Sequence, residues 1–201
     1  MEKIVLGIDP GTNVMGYGVL SIDDRKPSLV VMGVLQLHKL ESHYLRLKRI
    51  YERVLGLIEQ YHPDELAIES PFVGINPNSM IKLCRAQGVA MAAAVEREIP
   101  IFEYPPAKVK IQIVGNGSAS KEQVAAMVKN ALHLSDEDMN QKNDATDAVA
   151  IALTHYYMTS RPEGLRSGRS GGSNPKIPRS SGGGSSSWSE FIAKNSDRIH
   201  K

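Results

Sequence analysis

Four carboxylates stand where chemistry is easily assembled. Asp9 ends the apolar run in GIDPGT, and Glu69 ends the one in LAIES. In an α/β sheet, ligand sites form at the carboxyl ends of strands. Asp144 and Asp147 open the apolar stretch NDATDAVAIAL. A spacing of three puts their side chains on one helix face, about one turn apart. Asn143 is suited to cap that helix, and acids in its first turn suit the positive end of its dipole. Taken singly, each acid has an ordinary explanation: Asp-Pro-Gly is a common turn, and an acid after an apolar strand is often merely solvated. Taken together they imply more. Glu69 follows Ala67-Ile68, and Asp147 sits among Ala145, Ala148 and Val149, so both are expected to be partly buried. Converging, partly buried carboxylates repel one another unless a cation joins them. All-oxygen ligands favour Mg²⁺ or Mn²⁺ over zinc. Two such ions on shared carboxylates suit in-line phosphoryl transfer, one activating water and the other stabilising the leaving oxygen.

These acids need elements to hold them. Lys3 to Asp9 reads as a short apolar strand that ends in a Pro-Gly turn. Val14 to Ile22 and Ser28 to Leu37 read as two more strands, separated by a turn over Asp23 to Pro27, and the three fit an antiparallel meander. Ser42 to Tyr61 is an amphipathic helix, with Leu45, Ile50, Val54, Leu57 and Ile58 on the 3.6-residue period and Pro63 as its stop. Glu65 to Glu69 is a strand, Asn78 to Glu98 a helix and Ile101 to Tyr104 a strand. Ser120 to Leu132 is a helix opened by Ser120, with Gln123 three residues on. Asp144 to Met158 is the last helix. Three strands followed by alternating helices and strands indicate an α/β layer fold with a mixed sheet. The half-helix Gly88 to Val95 carries no charge, which suggests burial on more than one side and a second copy of the chain as partner.

Length and composition bound the rest. At 201 residues the chain is long enough for one domain with a substantial core. No stretch approaches ~18 consecutive apolar residues, and the start lacks a signal peptide's apolar segment, so a cytoplasmic protein is expected. A single cysteine, Cys84, excludes an internal disulfide framework, and six scattered histidines lack zinc-ligand spacing. The net charge of +2 is uneven. Residues 160–187 carry five bases and one acid, residues 188–201 a net +1, and the remaining 159 residues a net −3. If the main part binds DNA, its bases must gather on one face. Composition changes near Ser160: of the 28 residues to Ser187, nine are Ser, seven Gly and three Pro. Such a segment cannot bury enough apolar surface to offset chain entropy. The expected organisation is a domain over 1–158, a disordered basic linker over 159–187 and a short amphipathic segment over 188–201. In the last, Trp188, Phe191 and Ile192 have helical spacing.

Several residues suit contacts with a nucleic acid. Phe72, in the loop SPFVGINPN, can stack on or wedge between bases. Lys82 and Arg85, early in the next helix, can reach phosphates. Gly115 to Lys121, GNGSASK, leads into a helix N-terminus; its backbone amides and the side chains of Ser118 and Lys121 suit a phosphate, and Lys108 and Lys110 lie just before it. It is not the GxxxxGK[ST] of a nucleotide-hydrolysing loop. Lys48, Arg53 and Lys129 are expected to be merely solvated.

GIDPGTNVMGYGV, AIES followed by Phe72, VGNGSASKEQV and DATDAVAIALTH, in that order between about Ile4 and His155, resemble the RuvC family of bacterial Holliday-junction resolvases. The resemblance implies a ribonuclease H-like fold with a mixed five-stranded sheet flanked by helices, and a homodimer. It implies four catalytic, metal-binding carboxylates, carried by motif onto Asp9, Glu69, Asp144 and Asp147, with Mg²⁺ or Mn²⁺, two ions per site. It places DNA-contacting lysines at Lys110 and Lys121. It implies a structure-selective endonuclease that resolves four-way junctions in recombination and repair, alongside the RuvA–RuvB branch-migration complex. Two other readings compete. The actin, hexokinase and Hsp70 type ATPases also begin with an Asp-x-Gly-Thr turn, but need two such domains and a second Gly-rich motif. A non-catalytic binder of branched DNA would not require all four acids. The tail after Ser160 lies outside the resemblance.

Overall fold

The computed structural model describes residues 2–71, 76–139 and 143–160. Phe72 and the tail with its expected linker and end segment lie outside the described residues. The elements run β1 (Lys3–Asp9), β2 (Val14–Asp23), β3 (Lys26–Gln36), α1 (His43–Tyr61), β4 (Glu65–Glu69), α2 (Pro77–Glu96), β5 (Ile101–Tyr104), α3 (Pro106–Val114), α4 (Lys121–Leu132), α5 (Asp136–Met139) and α6 (Asn143–Thr159). The strands form one five-stranded sheet in the order β3-β2-β1-β4-β5. The first three are antiparallel neighbours, and β4 and β5 join in parallel. This is the mixed sheet expected from the strand and helix order.

Alternation along the strands splits the core into two layers. Leu6 and Ile8 of β1, with Leu66 and Ile68 of β4, face α1 and α2. There Ile50, Val54, Leu57 and Ile58 of α1 meet Ala86, Ala90, Ala93 and Ala94 of α2. Val5, Leu20 and Ala67 face the opposite way, onto α6, with α3 and α4 closing the layer. Residues 148–153 of α6 are wholly buried, so this helix is a core element along most of its length.

Several details differ from the sequence expectation, among them the short helix α5, which no sequence signal marked. The turn between β2 and β3 is two residues, Asp24 and Arg25, both with positive φ (46° and 61°), as a tight hairpin requires. Helix α3 is unanticipated: the Pro105-Pro106 pair reads as a break, yet proline is well tolerated in a first helical turn. Helix α6 begins at Asn143, one residue earlier than the spacing predicts, and the capping expected of the Asn143 side chain lies outside what the structure describes. In α2, Ala90, Ala93 and Ala94 pack against the chain's own sheet, so much of the uncharged half-helix is ordinary core. The residues Gly88, Ala92 and Val95 remain exposed.

Candidate active site

The site is set by how closely α6 rides on the sheet. Asp9 pairs across the ladder with Gly16, and Gly7 with Gly18. A Cβ on Gly16 would stand 2.0 Å from the Asp144 carbonyl oxygen, and one on Gly7 2.2 Å from that of Ala148. Only glycine lets the α6 backbone come this near. The close approach brings the first turn of α6 beside the end of β1. Carboxylate oxygens of Asp9, Asp144 and Asp147 lie within 4.8 Å of one another. Glu69 does not join that triad. It follows Ile68, the last β4 residue paired with β1, and lines the same cavity of about 320 Å³ as Asp9 and Asp147. Pro106, Val109, Val124 and Ala150 form its apolar walls, and Lys110 and Lys121 supply its cations.

The electrostatics match a cation site. Burial is the main cause that pushes the Asp9 pKa to about 8, with repulsion from Glu69, Asp147 and Asp144 adding to it. Burial, then Asp147, pushes Glu69 to about 7, while Lys121 and Lys110 oppose the rise. Lys121 donates to Asp147 at 2.6 Å and lies 3.8 Å from Asp144. Its own pKa is raised, chiefly by that bond to Asp147. An ammonium thus partly neutralises the acid cluster. The donor set is all oxygen and in excess of negative charge, which fits a hard divalent cation. Asp9, Asp144 and Asp147 are placed to hold it, with Glu69 within the same cavity.

The other expected contact residues scatter. Lys110 lies on α3 and, with Lys121 at the start of α4, shares the carboxylate cavity. Lys108 is exposed on α3, its ammonium 5.6 Å from the Tyr104 ring centroid. Ser118 is exposed, and its hydroxyl donates to Asn116 Oδ1 at 2.8 Å, within its own loop. Lys82 and Arg85 are exposed on α2, and Lys82 lines a separate cavity with His43 and Arg46. Of the residues expected to be solvated, Arg53 instead stacks over the Tyr17 ring and Lys129 pairs with Asp136. The glycine seat beneath α6 was not singled out from sequence, although glycines at every second strand position, Gly16 and Gly18, are its signal.

Comparison with known proteins decides the family. The sequence model described as crossover junction endodeoxyribonuclease RuvC matches residues 5–155. The chain belongs to the RuvC family. It is 52% identical to the crossover junction endodeoxyribonuclease RuvC of Bacteroides fragilis, over 98% of this chain and 96% of that protein. It is 50% identical to that of Porphyromonas gingivalis, over 98% and 97%. Among solved structures, the RuvC of Thermus thermophilus in complex with a Holliday junction substrate is 34% identical, with a TM-score of 0.71 over 78% of this chain and 94% of that one. The fold is therefore that of the RuvC nucleases, and the protein is a crossover junction endodeoxyribonuclease. The ATPase and non-catalytic readings fall away.

Proposed function

We propose that Asp9, Glu69, Asp144 and Asp147 form the catalytic centre, that they hold two Mg²⁺ or Mn²⁺ ions, and that the substrate is a four-way DNA junction cut on paired strands during recombination and repair. The observation that carries this reading is the triad of Asp9, Asp144 and Asp147, unbalanced in charge, beside Glu69 in a cavity that also holds two lysines. When bound, divalent ions supply a water acidic enough to attack the scissile phosphate and stabilise the departing oxygen. Asp9 belongs both to the triad and to the cavity that Glu69 lines, so it would be a ligand in either part of the site. Asp9 and Glu69, whose pKa values are raised, are the groups that a bound cation would hold ionised. Lys121, which pairs with Asp147, and Lys110 line the same cavity, where both would meet the scissile phosphate. The walls of Pro106, Val109 and Val124 limit the water around them.

Phe72 follows Glu69 by three residues, and we assign it to wedge against bases beside the cut; Lys82, Arg85, Lys108 and Ser118 contact the backbone further out. The protein acts as a homodimer, because two symmetric nicks need two centres. The exposed Ile81, Gly88, Ala92 and Val95 on α2 suit the facing surface. RuvA and RuvB are the expected partners on the junction. Among the described residues no helix is long and apolar enough to cross a membrane, and a DNA substrate suits the bacterial cytoplasm. The test is to map cuts on both strands of a synthetic junction with Mg²⁺. Paired symmetric nicks are expected on the junction, and none on plain duplex.

A further inference from the structure

A second cavity, of about 320 Å³, lies away from the carboxylates, lined by Thr12, Asn13, Glu41, His43, Arg46, Ser79 and Lys82. Its chemistry is that of an anion site. Arg46 is held by three acceptors: Nε donates to the Leu40 carbonyl, and Nη1 to the Thr12 carbonyl and Asn13 Oδ1. That leaves its Nη2 without a partner among the described residues, on a guanidinium fixed in place. Lys82 makes no ion pair among the described residues, and Ser79 Oγ no hydrogen bond. His43 Nε2 is buried with no hydrogen-bond partner. A buried polar nitrogen left this way is costly unless something fills the site. Burial, followed by the positive charges of Arg85, Lys82 and Arg46, holds the His43 pKa below its ordinary value. Glu41, exposed, is the single acid of the lining.

The cavity is tied to the catalytic centre by chain. Thr12 follows Asp9 by three residues, so their Cα atoms are at most ~11 Å apart. Phosphates of one DNA strand advance about 3.4 Å each along the helix axis. A strand with one phosphate at the carboxylates therefore has another within reach of this cavity. We propose that the cavity framed by Thr12, Asn13 and the first turns of α1 and α2 is a second phosphate subsite, which grips a backbone phosphodiester a few nucleotides from the one that is cut. His43, Arg46, Ser79 and Lys82 are its ligands. The subsite rests on the junction-nuclease reading above and fixes the register of the strand across the metals. Neither His43 nor Arg46 is marked by any sequence motif.

The test uses junctions in which single phosphates near the cut are replaced by neutral methylphosphonates. Wild-type protein should lose affinity at one position a few nucleotides from the cut. Lys82→Ala, an exposed substitution, and His43→Ala should each weaken binding to the natural junction. Each should also be indifferent to the methylphosphonate at that one position. For Lys82→Ala the slope of log affinity against log salt should be shallower by about one. If both variants remain as sensitive as wild type at every position, the subsite is wrong. If inorganic phosphate shifts the His43 ring resonances but no methylphosphonate position distinguishes the variants, the cavity takes a free anion and the DNA assignment is wrong. Wild-type protein that binds but never cuts junctions with Mg²⁺ would sink the nuclease reading instead.

Discussion

Helix α6 carries a polar cluster at each end, and the two are built on opposite principles. At its start, Asp144 and Asp147 lie near Asp9 and Glu69, like charges that, among the described residues, Lys121 and Lys110 offset in part. Near its end, His155 is wholly buried and fully matched. Its Nε2 bonds to Glu65, and its Nδ1 pairs with the Tyr104 hydroxyl at 2.7 Å. A neutral ring that donates from Nε2 and accepts at Nδ1 satisfies both. Lys3 completes the group, 2.6 Å from Glu65. Burial holds the His155 pKa down, and burial with Glu65 pushes Tyr104 up to about 12. One end is stabilising and complete. The other stores repulsion that an added cation relieves. The unbalanced end is the one to read as functional.

The largest effect is expected at Asp9. Asp9→Asn removes a carboxylate central to the unbalanced end, and cleavage should fall at least ~100-fold, since loss of even a supporting partner of a metal ligand costs 10–100-fold. The same variant should melt higher than wild type in chelator, because folding no longer has to protonate, or bury ionised, an acid among like charges. Loss of rate with a lower melting temperature would show that Asp9 is a structural residue. His155→Ala should do the reverse. It leaves a cavity and unmatched Tyr104 and Glu65, costing about 3 kcal/mol or more. That corresponds to roughly 6–12 °C in melting temperature for a domain of this size. The cutting rate of the protein still folded should be nearly unchanged.

A smaller effect separates the two ends by pH. Asp9 and Glu69 have folded pKa values above the ordinary carboxylate range, so from about pH 4 to 8 the folded chain binds more protons than the unfolded one. Their contribution to stability then falls as pH rises. His155 is the opposite: its folded pKa is below the ordinary value, so its contribution is present above that value and lost as pH falls. In chelator, the melting temperature should drop on the alkaline side, and Mg²⁺ should restore it more at pH 8 than at pH 6. A melting temperature that ignores Mg²⁺ at both values would remove the cation site. The smallest expected effect concerns the seat of α6. Gly16→Ala must displace the Asp144 backbone, at a cost of about 1–3 kcal/mol, and should weaken Mg²⁺ activation more than it weakens DNA binding. Equal Mg²⁺ titrations for variant and wild type would show that the close approach does not position the acids.

The carboxylates were legible because each is marked locally: Asp9 and Glu69 by apolar strands that end on them, Asp144 and Asp147 by helical spacing. The strands β1, β4 and β5 were legible to the residue for the same reason. What stayed hidden depends on pairs far apart in sequence. Lys121 meets Asp147 across 26 residues and His155 meets Glu65 across 90. The uncharged half of α2 reads the same whether its alanines face their own sheet or another chain, because periodicity records burial and not the identity of the neighbour. Helix α3 was hidden by Pro105-Pro106, whose local signal is a break.

On the proposed reading, DNA is cut at the unbalanced end of α6. The direct measurement is the cleavage of a synthetic four-way junction by wild type and by Asp147→Asn, with Mg²⁺ and with chelator, alongside junction binding by both. Wild type should nick two opposed strands symmetrically with Mg²⁺ and not at all in chelator. Asp147→Asn should bind the junction as wild type does, with affinity that falls steeply as salt rises, and leave it uncut. Cutting by Asp147→Asn at the wild-type rate, or by wild type in chelator, would contradict the claim.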